Sequence, residues 1–369
     1  MQKINRSKCL VSGSTNVNTI YTLRNFPIIM SCVDFSSEED IFEDMNWSVS
    51  ESGYVQLLEM LDPDLIYKNY HSPGLTGKIW QEHHQKFSEF INEDTFINAL
   101  EIGGGSGVLA NKISESYNGF TWTLIEPSIR KTFSDHRIKT INSYFETHEF
   151  TKKYDIVVHS HCFEHAYDPI NFLNKINSVL EDGGLHYISI PNMRHWLTQG
   201  FTNTLSFEHT FYVDYDVVSY FLSRSGFRLL DSIITDHSIF FKARKEGNCT
   251  PVHKDFSYVK RLFDEYKLKI SEDTENIIRL TEGKKVYLFG AHIFAQVLLN
   301  MGLSESRIIC LLDNDPNKHG KRLYGTNLTV KSPLCLSDVA APVVIVRGGS
   351  YTDEIKESIV SINPNTKFI

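Results

Sequence analysis

The run Ala99-Leu100-Glu101-Ile102-Gly103-Gly104-Gly105-Ser106-Gly107 limits what this chain can fold into more than any other stretch. A short apolar segment from Phe96 to Ile102 stops at a glycine, and from Val108 to Ile113 apolar residues return at helical spacing. That order predicts a buried parallel strand, a tight turn and a helix. Glycines at 103, 105 and 107 leave backbone N–H groups unobstructed by a Cβ beside a helix N-terminus, so the turn is a candidate cradle for a nucleotide-like ligand.

The flanking positions choose between cofactors. The dinucleotide fingerprint G-x-G-x-x-G/A ends in a small residue, and Val108 stands there. Glu101, two places before the first glycine, suits a cationic amino or sulfonium group better than a pyrophosphate. Glu126 follows Gly107 by nineteen residues, at the end of Trp122-Thr123-Leu124-Ile125 and just before Pro127. A carboxylate there can accept both hydroxyls of a ribose. The pattern favours S-adenosylmethionine over NAD, with Glu101, Gly103, Gly105, Gly107, Glu126 and Pro127 as cofactor-binding candidates.

A length of 369 residues predicts two or three domains, and 41% apolar content is ordinary for a globular chain. Net charge is −8 with no basic tract, which argues against nucleic acid as the main partner. The first residues lack the apolar core of a signal peptide, and no run reaches the roughly eighteen apolar residues of a membrane span. A cytoplasmic protein with a small-molecule substrate and no membrane partner is the expectation. The 6 cysteines include no C-x-x-C pair, so neither a disulfide framework nor a simple zinc knuckle is indicated.

Further along, the acidic patch Ser36-Ser37-Glu38-Glu39-Asp40 is expected to be a solvated loop. The segment Ile138–Phe145 predicts a strand, followed by Tyr144 and Phe145 where an aromatic ring can stack on a purine. Tyr154–Ser160 predicts a strand of the same sheet, ending at the ligand crevice. After it, His159-Ser160-His161-Cys162-Phe163-Glu164-His165 is dense in ligand-type side chains, and a strand would put 159 and 161 on one face. The same residues suit a strand exit and a helix start, so no metal is assigned, and His159 is placed with the cofactor-lining residues. Phe256–Thr281 predicts a charged helical connection interrupted near Ser271. Val286–His292, a helix through Met301 and Ile308–Asp315 then repeat the strand, turn, helix, strand order. Gly290-Ala291-His292-Ile293-Phe294-Ala295 is too poor in glycine to claim NAD.

Cys9-Leu10-Val11-Ser12-Gly13 and Val49-Ser50-Glu51-Ser52-Gly53 resemble the two C-x-x-C-G knuckles that open the sugar C-methyltransferase family. Together with 101–107, 126, 154–169 and 207–227, the resemblance runs from residue 9 to about 245, and residues beyond 284 look like that family's C-terminal domain. Only Cys9 of the four thiols remains, so the resemblance implies a zinc domain that has lost its metal. It also implies that Tyr70 and Ser72 lie over the cofactor, and that the pair Glu208-His209 carries the base, with Tyr212 a looser aromatic neighbour. An imidazole titrating near neutrality beside a carboxylate suits proton removal next to a ketone. The family's C-terminal domain helps hold a nucleotide-sugar, although Arg347-Gly348-Gly349-Ser350 replaces its usual Pro-Trp-Asn segment here.

The expected fold is α/β: a class I S-adenosylmethionine-methyltransferase Rossmann-like domain, a second, smaller Rossmann-like domain, and a small N-terminal region. The expected boundaries are 1–70 for a degenerate zinc-ribbon-like domain, 71–245 for the catalytic domain, 246–283 for a helical linker and 284–369 for a substrate domain. The expected activity is methyl transfer to a sugar carried on a nucleotide, at carbon beside a ketone or at oxygen, with His209 as base. Three readings stand beside it: an O-methyltransferase on another glycan or small molecule, an NAD-linked oxidoreductase, and a cofactor-binding module without turnover.

Overall fold

The computed structural model describes residues 3–67, 77–116, 118–129, 133–247, 249 and 254–369. Tyr70 and Ser72 lie outside the described residues.

Near the start, β1 (Val17–Pro27), β2 (Phe42–Ser50) and β3 (Val55–Leu57) pair in an antiparallel sheet. The two knuckle-like turns meet beside it. Cys9 Sγ accepts from the Ser12 amide at 3.5 Å and lies 3.8 Å from Ser52 Oγ. Gly13 and Gly53 both take positive φ, at 72° and 80°.

The central sheet is built from α1 (Lys78–Ile91), β4 (Asn98–Ile102), α2 (Val108–Ser116), β5 (Thr121–Ile125), β6 (Ile138–Ile141), β7 (Tyr154–Ser160), α3 (Pro169–Val179), β8 (Leu180–Pro191), α4 (Tyr215–Arg224), β9 (Phe227–Ile234) and β10 (Ser238–Lys245). Its seven strands run in the order β9-β10-β8-β7-β4-β5-β6. All neighbours are parallel except β10, which opposes both β8 and β9. Residues 99–102 are buried on both faces, as helices covering a parallel sheet require. Asp168 and Asp214 cap α3 and α4 by accepting from the amides of Asn171 and Val217. From β4 the chain moves outward to β5 and β6, then crosses back to β7. The strand order therefore reverses between β4 and β7, and the crevice beyond their C-terminal ends is where such a sheet binds ligands.

After β10, α5 (Ser257–Leu280) runs unbroken through Ser271, contrary to the expected interruption. Val259, Phe263, Tyr266, Ile270, Thr274 and Ile277 form one continuous buried stripe, and Ser271 falls outside it. A second parallel sheet follows from β11 (Val286–Phe289), α6 (Ile293–Asn300), β12 (Ile308–Leu312), β13 (Val330–Lys331), β14 (Val343–Val346), α7 (Thr352–Ile362) and β15 (Lys367–Phe368), in the order β13-β12-β11-β14-β15. The N-terminal region pairs with the segment between β12 and β13, Cys32 and Val33 running antiparallel to Leu323 and Arg322 in a separate two-stranded sheet. The acidic patch is accordingly not wholly solvated. The Asp40 carboxylate is buried and takes both arms of the Arg322 guanidinium at 2.7 Å each.

Candidate active site

Two adjoining cavities occupy the crevice above β4 and β7. The larger, about 690 Å³, is lined by Gly103, Glu126, Pro127, Tyr144, Phe145 and Asp168 among others. The smaller, about 230 Å³, is lined by Trp80, Glu101, Glu164, Trp196, Glu208 and His209 among others. Gly103, Glu126, His161 and His165 belong to both walls.

The glycine turn borders both cavities, Gly103 on each and Gly104 and Gly105 on the smaller. Gly103, Gly105 and Gly107 take φ of 70°, 51° and 71°. A Cβ on Gly104 would stand 2.7 Å from both Glu101 Cδ and Leu124 Cδ1, so this position admits only bare backbone. Sequence pattern alone gave Gly104 no role. Gly107 lines neither cavity; a Cβ there would strike the Phe133 ring at 2.2 Å, so its part is to start α2.

Glu126, at the end of β5, accepts from the Ser128 amide and hydroxyl at 3.2 and 2.9 Å and from the Gly105 amide at 3.4 Å. Glu101 lies beneath the turn, with Oε2 accepting from the Trp122 indole at 2.6 Å. Burial pushes its carboxyl up to about 7, and the charge of Glu126 pushes the same way. Tyr144 donates its hydroxyl to Asp64 at 2.7 Å, and Phe145 packs edge-on to Phe172, both on the wall of the larger cavity.

His159 and His161 separate, and this corrects the placement of His159. The strand ends at Ser160, and His161 takes a left-handed φ of 49° that swings its ring into both cavities. His159 stays in the core against Phe172 and His186, lines neither cavity, and is held by burial down at about 3. Tyr212 is likewise corrected: its ring is fully buried and its hydroxyl donates to Asp214 at 3.0 Å, away from the crevice.

His209 reaches the smaller cavity. Its Nδ1 lies 3.1 Å from the Thr204 carbonyl, which can only accept, so Nδ1 carries the proton and Nε2 the lone pair. Burial lowers the imidazole's pKa, and the Glu208 charge opposes that. The bond that orients the ring thus runs to backbone, while Glu208 Oε2 lies 3.9 Å from His165 Nδ1. Between these histidines sits Glu164, fully buried, with neither oxygen hydrogen-bonded among the described residues and its carboxyl pushed by burial up to about 8. The sequence showed Glu164 and His165 only as part of a dense cluster; the turn at His161 is what brings them to the wall.

In the second sheet, Asp313 ends β12 at the place a dinucleotide ribose would occupy. Its carboxylate accepts from the Ala291 amide at 3.1 Å and pairs with Lys318 at 2.8 Å, so the chain's own groups fill that position.

Residues 76–231 match the family model described as methyltransferase domain. That match spans under half of the chain, and it makes the segment similar to a methyltransferase domain. S-adenosylmethionine is the donor expected from the sequence pattern. The residues present fit that donor: the turn at Gly104 exposes bare backbone that a Cβ would block, and carboxylates stand on either side of it. Solved structures similar to the domain include the 1,6-didemethyltoxoflavin-N1-methyltransferase of Burkholderia thailandensis, at 14% identity, 46% of this chain, 81% of that chain and TM-score 0.38. The N-methyltransferase NodS of Bradyrhizobium japonicum is similar at 13% identity, 45% and 96% coverage and TM-score 0.36. An O-methyltransferase family protein of Burkholderia thailandensis is similar at 12% identity, 46% and 57% coverage and TM-score 0.39. No curated protein matches the chain by sequence.

Proposed function

We propose that the methyltransferase domain acts on a sugar carried on a nucleotide, with His209 as general base, and that the second sheet helps hold the acceptor. The observation that carries this reading is a half-buried His209, its pKa lowered by desolvation, on a cavity that shares a wall with the donor crevice. That cavity also holds Asn203 Oδ1 and both oxygens of Glu164, which lack hydrogen-bond partners among the described residues and suit a polyhydroxylated ligand. Trp80 and Trp196 add aromatic surface for the apolar face of a sugar ring. His292 and Ile293 bring the second sheet to the same wall, and Ile29, Met30 and Ser31 bring the N-terminal region. The N-terminal turns around Cys9 support the likeness to sugar C-methyltransferases.

When bound, S-adenosylmethionine supplies a methyl group on a cationic sulfur, so the chain's task is alignment, exclusion of water and proton transfer. His209 Nε2 takes the proton beside a ketone, or from a hydroxyl, and the nearby Glu208 charge stabilises the imidazolium that results. Glu164, held neutral by burial, is a hydrogen-bond donor for the oxygen on which charge develops.

The test is incubation of the full chain and donor with nucleotide-linked keto and hydroxy sugars, followed by mass spectrometry. One added methyl group on a sugar nucleotide is expected; turnover confined to acceptors without a sugar would overturn the proposal.

A further inference from the structure

A second cluster stands at the edge of the acceptor cavity, whose wall its His161 shares, and the chemistry above gives it no role. His83 on α1, His161 after β7 and His237 between β9 and β10 offer one ring nitrogen each within 4.8 Å of one another. The three converge on one hydroxyl: Ser238 Oγ lies 3.1 Å from His83 Nδ1, 2.8 Å from His161 Nε2 and 2.8 Å from His237 Nδ1. We propose that His83, His161 and His237, with Ser238 beside them, bind one divalent transition-metal ion of the zinc class.

Three further observations support a built site. Two of the imidazoles spend their other nitrogen on an outer partner, His83 Nε2 on Ser160 Oγ at 2.9 Å and His237 Nε2 on the Tyr351 hydroxyl at 3.2 Å, while His161 Nδ1 faces Glu164 Oε1 at 3.7 Å, beyond hydrogen-bond distance. Metal-binding histidines are oriented in this way, one nitrogen fixed by a second group and the other presented to the ion. His161 achieves its orientation at φ 49°, a conformation unfavourable for a non-glycine residue that persists only where its surroundings impose it. Trp80 packs edge-on against all three rings, with centroids 4.9 to 5.0 Å away, and shields them from water.

The donor set also suits a cation of this class. Three neutral nitrogens and a hydroxyl match zinc, and also cobalt, nickel or copper, better than magnesium or calcium, which take oxygen ligands. The bound ion would tie α1 to the sheet edge and, through Tyr351, to the second sheet. The site is distinct from the cluster of Glu164, His165 and His209, which faces the acceptor. Metal binding is read without methyl transfer, so this proposal and the proposed activity stand or fall separately.

The full-length protein, stripped with chelator, is titrated with Co²⁺ while its ligand-field absorption is followed. It is then displaced with Zn²⁺, and metal content is measured after desalting. About one ion per chain is expected, with a higher melting temperature on loading. H83Q and H237Q should each abolish stoichiometric binding, and Y351F, which removes only an outer hydroxyl, should weaken it by roughly tenfold. H209Q should leave it intact. Absence of retained metal in the unmodified chain overturns the proposal, as does retained metal that H209Q removes and H83Q or Y351F leaves untouched. If a ligand variant fails to fold, Y351F and H209Q decide between the two clusters.

Discussion

Arg6 Nη1 donates to the carbonyl of Thr210, the residue after His209, at 2.8 Å, across 204 positions of sequence. The same guanidinium donates to the carbonyls of Leu57 and Tyr167 at 2.9 Å each, so one buried cation ties the N-terminal segment to the loop that carries the proposed base. Replacing it by methionine removes three hydrogen bonds, although the Thr210 carbonyl keeps the Leu57 amide at 2.9 Å. At about 1 kcal/mol or more each, Arg6→Met should lower stability by on the order of 3 kcal/mol, measured by denaturant unfolding. Turnover should fall further than the folded fraction does, because the 206–212 loop loses its anchor.

His209→Gln removes the base and keeps a side chain of similar reach. If carbon beside a ketone is methylated, turnover should drop by roughly 10²- to 10⁴-fold. Affinity for S-adenosylhomocysteine, followed by calorimetry, should stay within a few-fold, since His209 lines the smaller cavity alone. Near-normal turnover would remove the carbon-methylation mechanism.

The glycine turn, the strand before it and Glu126 were legible because the constraint there is local: backbone must be bare, and a carboxylate must close the next strand. His159 was misplaced because alternation along a strand assumes that the strand continues, and His161 turns left-handed one residue after it ends. Tyr212 was misplaced because an aromatic near a base looks the same in sequence whether it faces a ligand or the core. Asp40 pairs with Arg322, and His83 meets His237 at Ser238, only through packing of segments far apart in the chain. No spacing rule reaches such pairs. Ser271 shows the opposite error, where a polar residue on the outer face of α5 was given the weight of a break.

Gly104→Ala tests the cradle. The added methyl would lie 2.7 Å from Glu101 Cδ and Leu124 Cδ1, and neither can withdraw without disturbing the buried sheet. Overpacking of this kind costs about 1–3 kcal/mol. The variant should melt earlier and bind S-adenosylhomocysteine at least tenfold more weakly, whereas Gly119→Ala, with nothing within 4 Å, should cost only the strain of its positive φ. Comparing the two by calorimetry separates obstruction of the cradle from general strain.

The Glu101 carboxyl, raised by burial from 4.5 to about 7, makes cofactor binding depend on pH in a direction that can be worked out. In the free protein the folded state keeps this proton where the unfolded chain has already released it. The group's contribution to stability is therefore full below 4.5 and is lost as pH rises to about 7. A cationic ligand reverses the preference, because it binds the ionised carboxylate. Affinity for S-adenosylhomocysteine, whose amino group is cationic, should level off above about 7 and fall by up to tenfold per unit below it. Binding at low pH should release a proton, so the apparent enthalpy should change between buffers of different ionisation heat. Glu101→Gln should flatten both dependences while keeping the acceptor for the Trp122 indole, and an unchanged pH profile in that variant would remove Glu101 from the cofactor's surroundings.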